Sequence, residues 1–466
     1  MTSIRSAGTN GKFLCFVAAL VVLSSSPGKA VQTRKPNIVL ILADDLGYGD
    51  IGPYGQRQIL TPNLDRLAAG GLRFTQAYAG AAVCAPSRSV LMTGLHTGHT
   101  PIRANAGTFP LQADDVTLAE VLQRAGYQSG GFGKWGLGDA GSPGIPTRHG
   151  FIEFFGYLHQ IHAHTYFPEF LWDNERKHPL AGNSNGGRGE YSADLIADRA
   201  LQFIRAHRDG PFFLYAPFTL PHGRFEVPND EPYTGRDWPQ PEKNFASMVT
   251  RLDGHIGRII ALLTELQLER DTIVFFASDN GGISGEGHDV KRFRSNGPLR
   301  GEKATLYEGG IRVPMIVRWP GRVAEHTTSD VPWGFWDFLP TLAELAGTRA
   351  PDGIDGISVL PTVLGKNRAA QKPSERTFYW EHLQFNRQTS ELRTETMLQA
   401  VRMGDWKAVR SKPGAPLELY DLADDTGESS DVASAHPDVV SKIEAYLKTA
   451  RTAPRPHNTG SFEFKR

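Results

Sequence analysis

Short apolar runs alternate along this chain with stretches of helical periodicity, and the runs stop at polar residues. NIVLILA (37–43) ends at Asp44-Asp45. Tyr127 to Gly133 ends at Lys134, and TIVFFAS (272–278) ends at Asp279. PFFLYAPF (211–218) comes shortly before His222, and VPMIVRW (313–319) adds a further run. Between them, helical spacing covers PNLDRLAAG after Thr61, residues 117–125, 191–208, roughly 245–268 and 336–347. Apolar runs of this length, separated by helices of this length, predict a mostly parallel sheet covered on both faces. Sites in such sheets form beyond the carboxyl ends of the strands. Asp44, Lys134, His222 and Asp279 all fall there, which makes them the first candidates for chemistry.

The pattern changes near residue 375. TFYWEH, LQAVRMGDWKAVRS and LELYDL read as short strands, and residues 437–451 as a closing helix. We expect a main α/β domain over 31–370 and a C-terminal subdomain over 371–466, a small antiparallel sheet packed with that helix. Residues 366–376 (KNRAAQKPSER) read as the linker, and 455–466 as a frayed end. There are 50 Gly and 31 Pro in 466 residues, which fits many loops and not a helical bundle.

Residues 1–30 have the layout of a secretory signal peptide. Arg5 and Lys12 precede the apolar run Phe13 to Leu23, and SSSPGKA follows to Ala30. The run is too short to span a bilayer comfortably. Lys+Arg and Asp+Glu are 50 each, with no basic stripe, so nucleic acid is not an expected partner. The expected compartment is periplasmic or extracellular. The absence of any N-x-[ST] sequon favours these over a lysosomal, glycosylated protein. Of two cysteines, Cys15 leaves with the signal. Cys84 then stands alone in an oxidising compartment, where a thiol is a liability unless buried or used.

Cys84 lies in Val83-Cys84-Ala85-Pro86-Ser87-Arg88-Ser89. Pro86 suits a first helical turn, which puts Cys84 at a helix N-terminus with Arg88 one turn on. Such an end favours an anion, here a phosphate or sulfate. Asp44, Asp45, Asp279 and Asn280 supply three carboxylates and an amide from two strand ends. That hard oxygen set suits Ca²⁺ or Mg²⁺, Ca²⁺ being the better fit because Mg²⁺ usually keeps more waters.

C-x-P-S-R, with Ser89 and Thr93-Gly94, resembles the signature of the sulfatase family. The resemblance runs over about 35 to 450. It takes in Asp44-Asp45, Gly133-Lys134-Trp135, Pro221-His222, Ser278-Asp279-Asn280-Gly281 and Gly301-Glu302-Lys303. Gly404-Asp405-Trp406-Lys407 and Glu418-Leu419-Tyr420-Asp421-Leu422 extend it into the tail. It implies an alkaline phosphatase-like fold and a sulfuric ester hydrolase of arylsulfatase type. A separate formylglycine-generating enzyme would convert Cys84 to Cα-formylglycine. Asp44, Asp45, Asp279, Asn280 and an oxygen of modified Cys84 would hold the metal. Arg88, Lys134 and Lys303 would bind the sulfuryl oxygens, and His222 would protonate the leaving group.

One position departs from the pattern. Many family members carry K-W-H where this chain has Lys134-Trp135-Gly136. The histidine proposed to help regenerate the aldehyde is therefore missing. The segment YLHQIHAHTYFP (157–168) offers His162 or His164 in its place, or serves only as a substrate-side loop. Aromatics and histidines at 151–172, with Glu169, point to a sulfated sugar first and an aryl sulfate second. Two alternatives remain: a phosphoester or phosphonate hydrolase of the same superfold, and a non-catalytic anion-binding homologue.

Overall fold

The computed structural model describes residues 1–12, 35–105, 109–366, 375–386 and 391–455. Residues 1–12 carry no regular secondary structure. The apolar run and Cys15 of the expected signal peptide, most of the expected linker and nearly all of the expected frayed end lie outside the described residues. Among the described residues, no helix is long and apolar enough to cross a membrane.

Ten strands form one sheet. Its order is Thr327–Ser329, Leu72–Phe74, Met315–Arg318, Thr272–Ser278, Asn37–Ala43, Phe212–Pro217, Gln128–Lys134, Glu153–Tyr157, Phe170–Asp173, Arg176–Pro179. The five strands from Thr272–Ser278 to Glu153–Tyr157 run parallel. Met315–Arg318 is antiparallel to both of its neighbours, and the last three strands at the other edge form antiparallel pairs. The fold is the mixed, mostly parallel sheet that the alternating runs predict.

The central strand shows why its sequence is apolar throughout. Ile38, Leu40 and Leu42 enter the core on one face of the sheet. Val39, Ile41 and Ala43 enter the core on the other. A strand buried on both faces has no position left for polar alternation. Helices Cys84–Thr93, Leu118–Arg124 and Phe338–Leu345 cover the first face. Helices Pro62–Ala69, Ser192–Ala206 and Gln240–Glu265 cover the second. Local signals mark their ends. Thr117 and Glu120 form a capping box at the start of Leu118–Arg124, and Gly94 closes the Cys84 helix at φ +72°.

The tail also follows its reading. Thr377–Asn386, Glu391–Met403, Trp406–Arg410 and Glu418–Asp421 form a four-stranded antiparallel sheet. Tyr379, Val401, Ala408 and Leu419 pack with Ile443 and Leu447 of helix Pro437–Leu447. The opposite face is not independent of the main body. Phe378 and Trp380 join the large core beside Tyr78 and Trp336, and Trp380 Nε1 donates to Ala79 O at 3.0 Å.

Candidate active site

The parallel centre of the sheet aims its carboxyl ends at one point. Asp44 and Asp45 directly follow Asn37–Ala43, and Asp279 and Asn280 directly follow Thr272–Ser278. Lys134 is the last residue of its strand, and His222 stands five residues beyond Phe212–Pro217. The register of the two middle strands, Ala43 opposite Ser278, forces the four acceptor residues side by side. Asp45 takes a left-handed conformation at φ +64°, a turn that aspartate tolerates better than most residues. Its N–H donates to Asp279 Oδ1 at 3.2 Å.

Cys84 arrives from one face as the first residue of its helix and is fully buried. Its Sγ lies 3.3 Å from Asp44 Oδ1, 3.8 Å from Asp45 Oδ1 and 3.4 Å from Lys303 Nζ. Each cation has a carboxylate. Lys134 Nζ donates to Asp44 Oδ2 at 2.7 Å, and Lys303 Nζ to Asp45 Oδ2 at 2.7 Å. Arg88 donates through Nε and Nη2 to Asp279 Oδ2 at 3.0 and 2.8 Å, and through Nη1 to Lys134 O at 2.6 Å. His222 Nε2 is 3.5 Å from Asp45 Oδ2, while its Nδ1 faces Gly223 O at 2.5 Å. The latter contact places the proton on Nδ1 when the ring is neutral, leaving Nε2 to face the centre.

The charges perturb one another. Burial opposes ionisation of Asp44, yet Lys134, His222, Arg88 and Lys303 hold its carboxyl well below the usual range. Asp279 goes the other way: burial and the charge of Asp44 lift it to about 7, despite Arg88. Burial, then Asp44, pushes the Cys84 thiol up to about 12. Lys303 is held charged: Asp45, Cys84 and Asp44 outweigh its burial. Burial lowers His222.

The donor set fits a hard divalent cation. Three buried carboxylates converge, Asp44, Asp45, Cys84 and His222 offer ligand atoms within 4.8 Å of one another, and Asn280 Oδ1 is buried without a hydrogen-bond partner. Asn280 Nδ2 donates to Asp45 Oδ1 at 2.8 Å, which fixes the amide with its oxygen on the other side.

The two loop histidines part company. His164 stacks on His222, ring centroids 4.3 Å apart, and burial lowers its pKa to about 3. His162 packs between Tyr157 and Phe170 at 4.9 and 4.6 Å, away from Cys84 and its partners; burial lowers it to about 3 as well. Both line a cavity of about 750 Å³ that reaches Asp45, His222 and Lys303. Arg224, Phe225, Ser284 and Glu286 line it too, from two loops in which sequence reading found no signal. At Gly136, φ is +77° and a Cβ would lie 2.8 Å from Gln160 Oε1, so Gln160 fills the space over the position that departs from the family pattern.

The family model described as Sulfatase matches residues 36–348, well over half of the chain. This protein belongs to the sulfatase family. A second model, N-sulphoglucosamine sulphohydrolase C-terminal, matches residues 301–453 of the sulfatase. Human arylsulfatase A is 34% identical, over 91% of this chain and 89% of its own. An N-acetylgalactosamine-6-O-sulfatase of Bacteroides thetaiotaomicron is 29% identical, over 90% of this chain and 94% of its own. Among solved structures, Ps i-CgsB in complex with k-i-k-neocarrahexaose superposes at TM-score 0.78. It is 27% identical and covers 90% of this chain and 93% of that one.

The sulfatase holds a second histidine–carboxylate group, His96, His99 and Asp355. Here Gly98 N–H donates to His96 Nδ1 at 3.1 Å. That leaves the proton of the neutral ring on Nε2, which faces Asp355 Oδ1 at 3.5 Å. His99 Nδ1 lies 2.9 Å from Asp355 Oδ1, and the His96 backbone N–H donates to Asp355 Oδ2 at 2.9 Å.

Proposed function

We propose that this protein is an exported sulfatase that hydrolyses a sulfate ester of a carbohydrate through a formylglycine formed from Cys84. The observation that carries the reading is the position of Cys84: buried at a helix start, within 3.4 Å of both Asp44 Oδ1 and Lys303 Nζ. In this reading Asp44, Asp45, Asp279, Asn280 and modified Cys84 hold one Ca²⁺, with Mg²⁺ as the alternative. The cation supplies Lewis-acid charge that offsets the carboxylates and the anionic ester.

The chain's own groups do the rest. A hydrated aldehyde at position 84 carries two hydroxyls on one carbon. One gives its proton to a neighbouring carboxylate of the centre and attacks sulfur, and the S–O bond to the sugar breaks. Arg88, Lys134 and Lys303 stabilise the sulfuryl oxygens, and His222, protonated at Nε2, gives its proton to the departing oxygen. Loss of a proton from the second hydroxyl then re-forms the carbonyl and expels sulfate. Addition of water restores the hydrate. A plain cysteine has no second hydroxyl and would stay sulfated. In this reading His164, stacked on His222, takes that last proton, and His162 helps to wall the cavity.

The cavity supports a sugar. Phe167 and Phe170 offer flat apolar faces, and Glu169, Arg224, Ser284 and Glu286 offer hydroxyl partners around them. Relatives named as N-acetylgalactosamine-6-sulfatases point the same way. The test has two parts. Mass spectrometry of the tryptic peptide Phe74–Arg88 should find formylglycine at position 84 in active protein. In a panel of sulfated mono- and disaccharides with phosphate and phosphonate esters beside them, the sulfated sugars should be hydrolysed fastest. A fully active enzyme with only thiol at position 84, or faster turnover of the phosphorus esters, would overturn the reading.

A further inference from the structure

The tail motif Gly404-Asp405-Trp406-Lys407 contributes nothing to the centre directly, yet it contains a buried cation. Lys407 lies on strand Trp406–Arg410 and is fully buried. Its Nζ is 2.8 Å from Glu308 Oε1 and 2.8 Å from Glu428 Oε1, and both acids are buried. Glu308 is held from every side. Its Oε2 accepts from Tyr78 OH at 2.8 Å and Arg312 Nη1 at 3.2 Å. Its own N–H donates to Glu428 Oε2 at 2.6 Å.

Glu308 opens the short helical turn Glu308–Ile311, five residues after Lys303. The segment from Arg300 to Ile311 touches two loops of the active centre through its backbone. Lys303 N–H donates to Gly282 O at 3.0 Å, and Gly281 N–H to Gly310 O at 3.0 Å. Ala304 N–H donates to Ala82 O at 2.9 Å, and Ala79 N–H to Ile311 O at 2.8 Å. The approach to Gly281 is so close that a Cβ there would lie 1.9 Å from Gly309 O. One segment thus carries Lys303, abuts the loop of Asp279 and Asn280, and abuts the loop that leads into Cys84.

A buried ion cluster contributes little net stability, because desolvation offsets most of the attraction. What it does provide is a directional tie. We propose that Lys407 is a positioning residue for the active centre. With Glu308 and Glu428 it fixes the Arg300–Ile311 segment, and through that segment the place of Lys303 and of the two loops. The inference rests on Lys303 binding the sulfuryl group, as proposed above. It gives the C-terminal sheet a part in catalysis without contact to substrate.

The experiment uses the full-length, formylglycine-bearing enzyme with 4-nitrophenyl sulfate, and the variants Lys407→Met, Lys407→Arg, Glu308→Gln and Lys303→Ala. Misplacing a reacting group by an ångström costs about a hundredfold in rate. Lys407→Met should therefore lower kcat by about tenfold to a hundredfold with little change in KM, and Lys407→Arg should restore most of it. In the Lys303→Ala background, Lys407→Met should cost clearly less than it does alone, because the share of its loss that acts through Lys303 is already gone and only the share through the two loops remains. Hydrogen exchange, which needs no turnover, should quicken at the amides of Gly281, Ala304 and Gly309. Glu308→Gln keeps the shape of the side chain and should show the same exchange pattern if Lys407→Met does not fold. Independent, multiplying losses in the double variant, or unchanged exchange at those amides in a folded variant, overturn the proposal. If Lys303→Ala alone leaves kcat unchanged, the role of Lys303 is wrong, while the exchange result still decides the role of Lys407.

Discussion

Asp50 is a buried carboxylate with no part in the proposed chemistry, and its replacement should stabilise the fold in a pH-dependent way. It is fully buried, and its Oδ2 accepts from Gly47 N–H at 2.7 Å. Burial lifts its pKa to about 6, against the lowering effects of Ser295 and of the Gly47 N–H. The sign follows from proton counting. At low pH both folded and unfolded chains carry the proton, and nothing is lost. As pH rises through the unfolded value and on to the folded one, the unfolded chain ionises first, so stability falls. Above the folded value the penalty is complete. A shift of roughly two units corresponds to about 3 kcal/mol at neutral pH, of which about 1 kcal/mol has already developed by about pH 4.5. Asp50→Asn keeps an oxygen for Gly47 N–H and cannot ionise. The gap between variant and parent should therefore widen, in favour of the variant, by about 2 kcal/mol between about pH 4.5 and about pH 7.5. Urea unfolding curves at a series of pH values measure it directly. A gap that stays flat with pH would show that Asp50 ionises freely in the folded chain, and the reasoning from burial would fail.

Chelation should lower both the thermal midpoint and the turnover, and added Ca²⁺ should restore them; Asp279→Ala should abolish the response, and a response that survives in this variant would remove Asp279 from the ligand set. His222→Ala should lose most activity on alkyl sulfates and far less on activated aryl sulfates, as a plot of rate against leaving-group pKa would show. His164→Ala should release about one equivalent of alcohol in a burst and then accumulate a sulfated position 84, whereas His162→Ala should alter KM without a burst. A sulfated peptide found in the His162 variant and not in the His164 variant would reverse the two roles.

The legible parts of this molecule were those where one physical demand dictates the residue type. Strands buried on both faces must be apolar throughout, so Asn37–Ala43 and Thr272–Ser278 stood out, and so did the acids at their ends. Residues 117–125 read as a helix from their spacing, and the structure places Leu118–Arg124 there. Glu153–Tyr157, Phe170–Asp173 and Arg176–Pro179 were not legible as strands. The last of them is exposed along its whole length, so no core selects its residues, and only pairing with its neighbour defines it. The helix Gln240–Glu265 begins earlier than its apolar spacing indicated, because its first turn follows Pro239 and carries Pro241, both compatible with a helix start. Arg224 and Glu286 were hidden for a different reason. They are exposed loop residues, and only the fold brings them to the same cavity wall.

The antiparallel edge of the sheet has an evolutionary meaning. The acids, Lys134 and Cys84 hang on the parallel strands and a covering helix, where an insertion would break register across the molecule. The loop of His162 runs from the last parallel strand, Glu153–Tyr157, to the antiparallel strand Phe170–Asp173, beyond which lies a single further strand. Chain can be added, removed or rebuilt there while the parallel centre keeps its register. A lineage with this architecture is free to exchange the ester it recognises without redesigning the step that cleaves the sulfate.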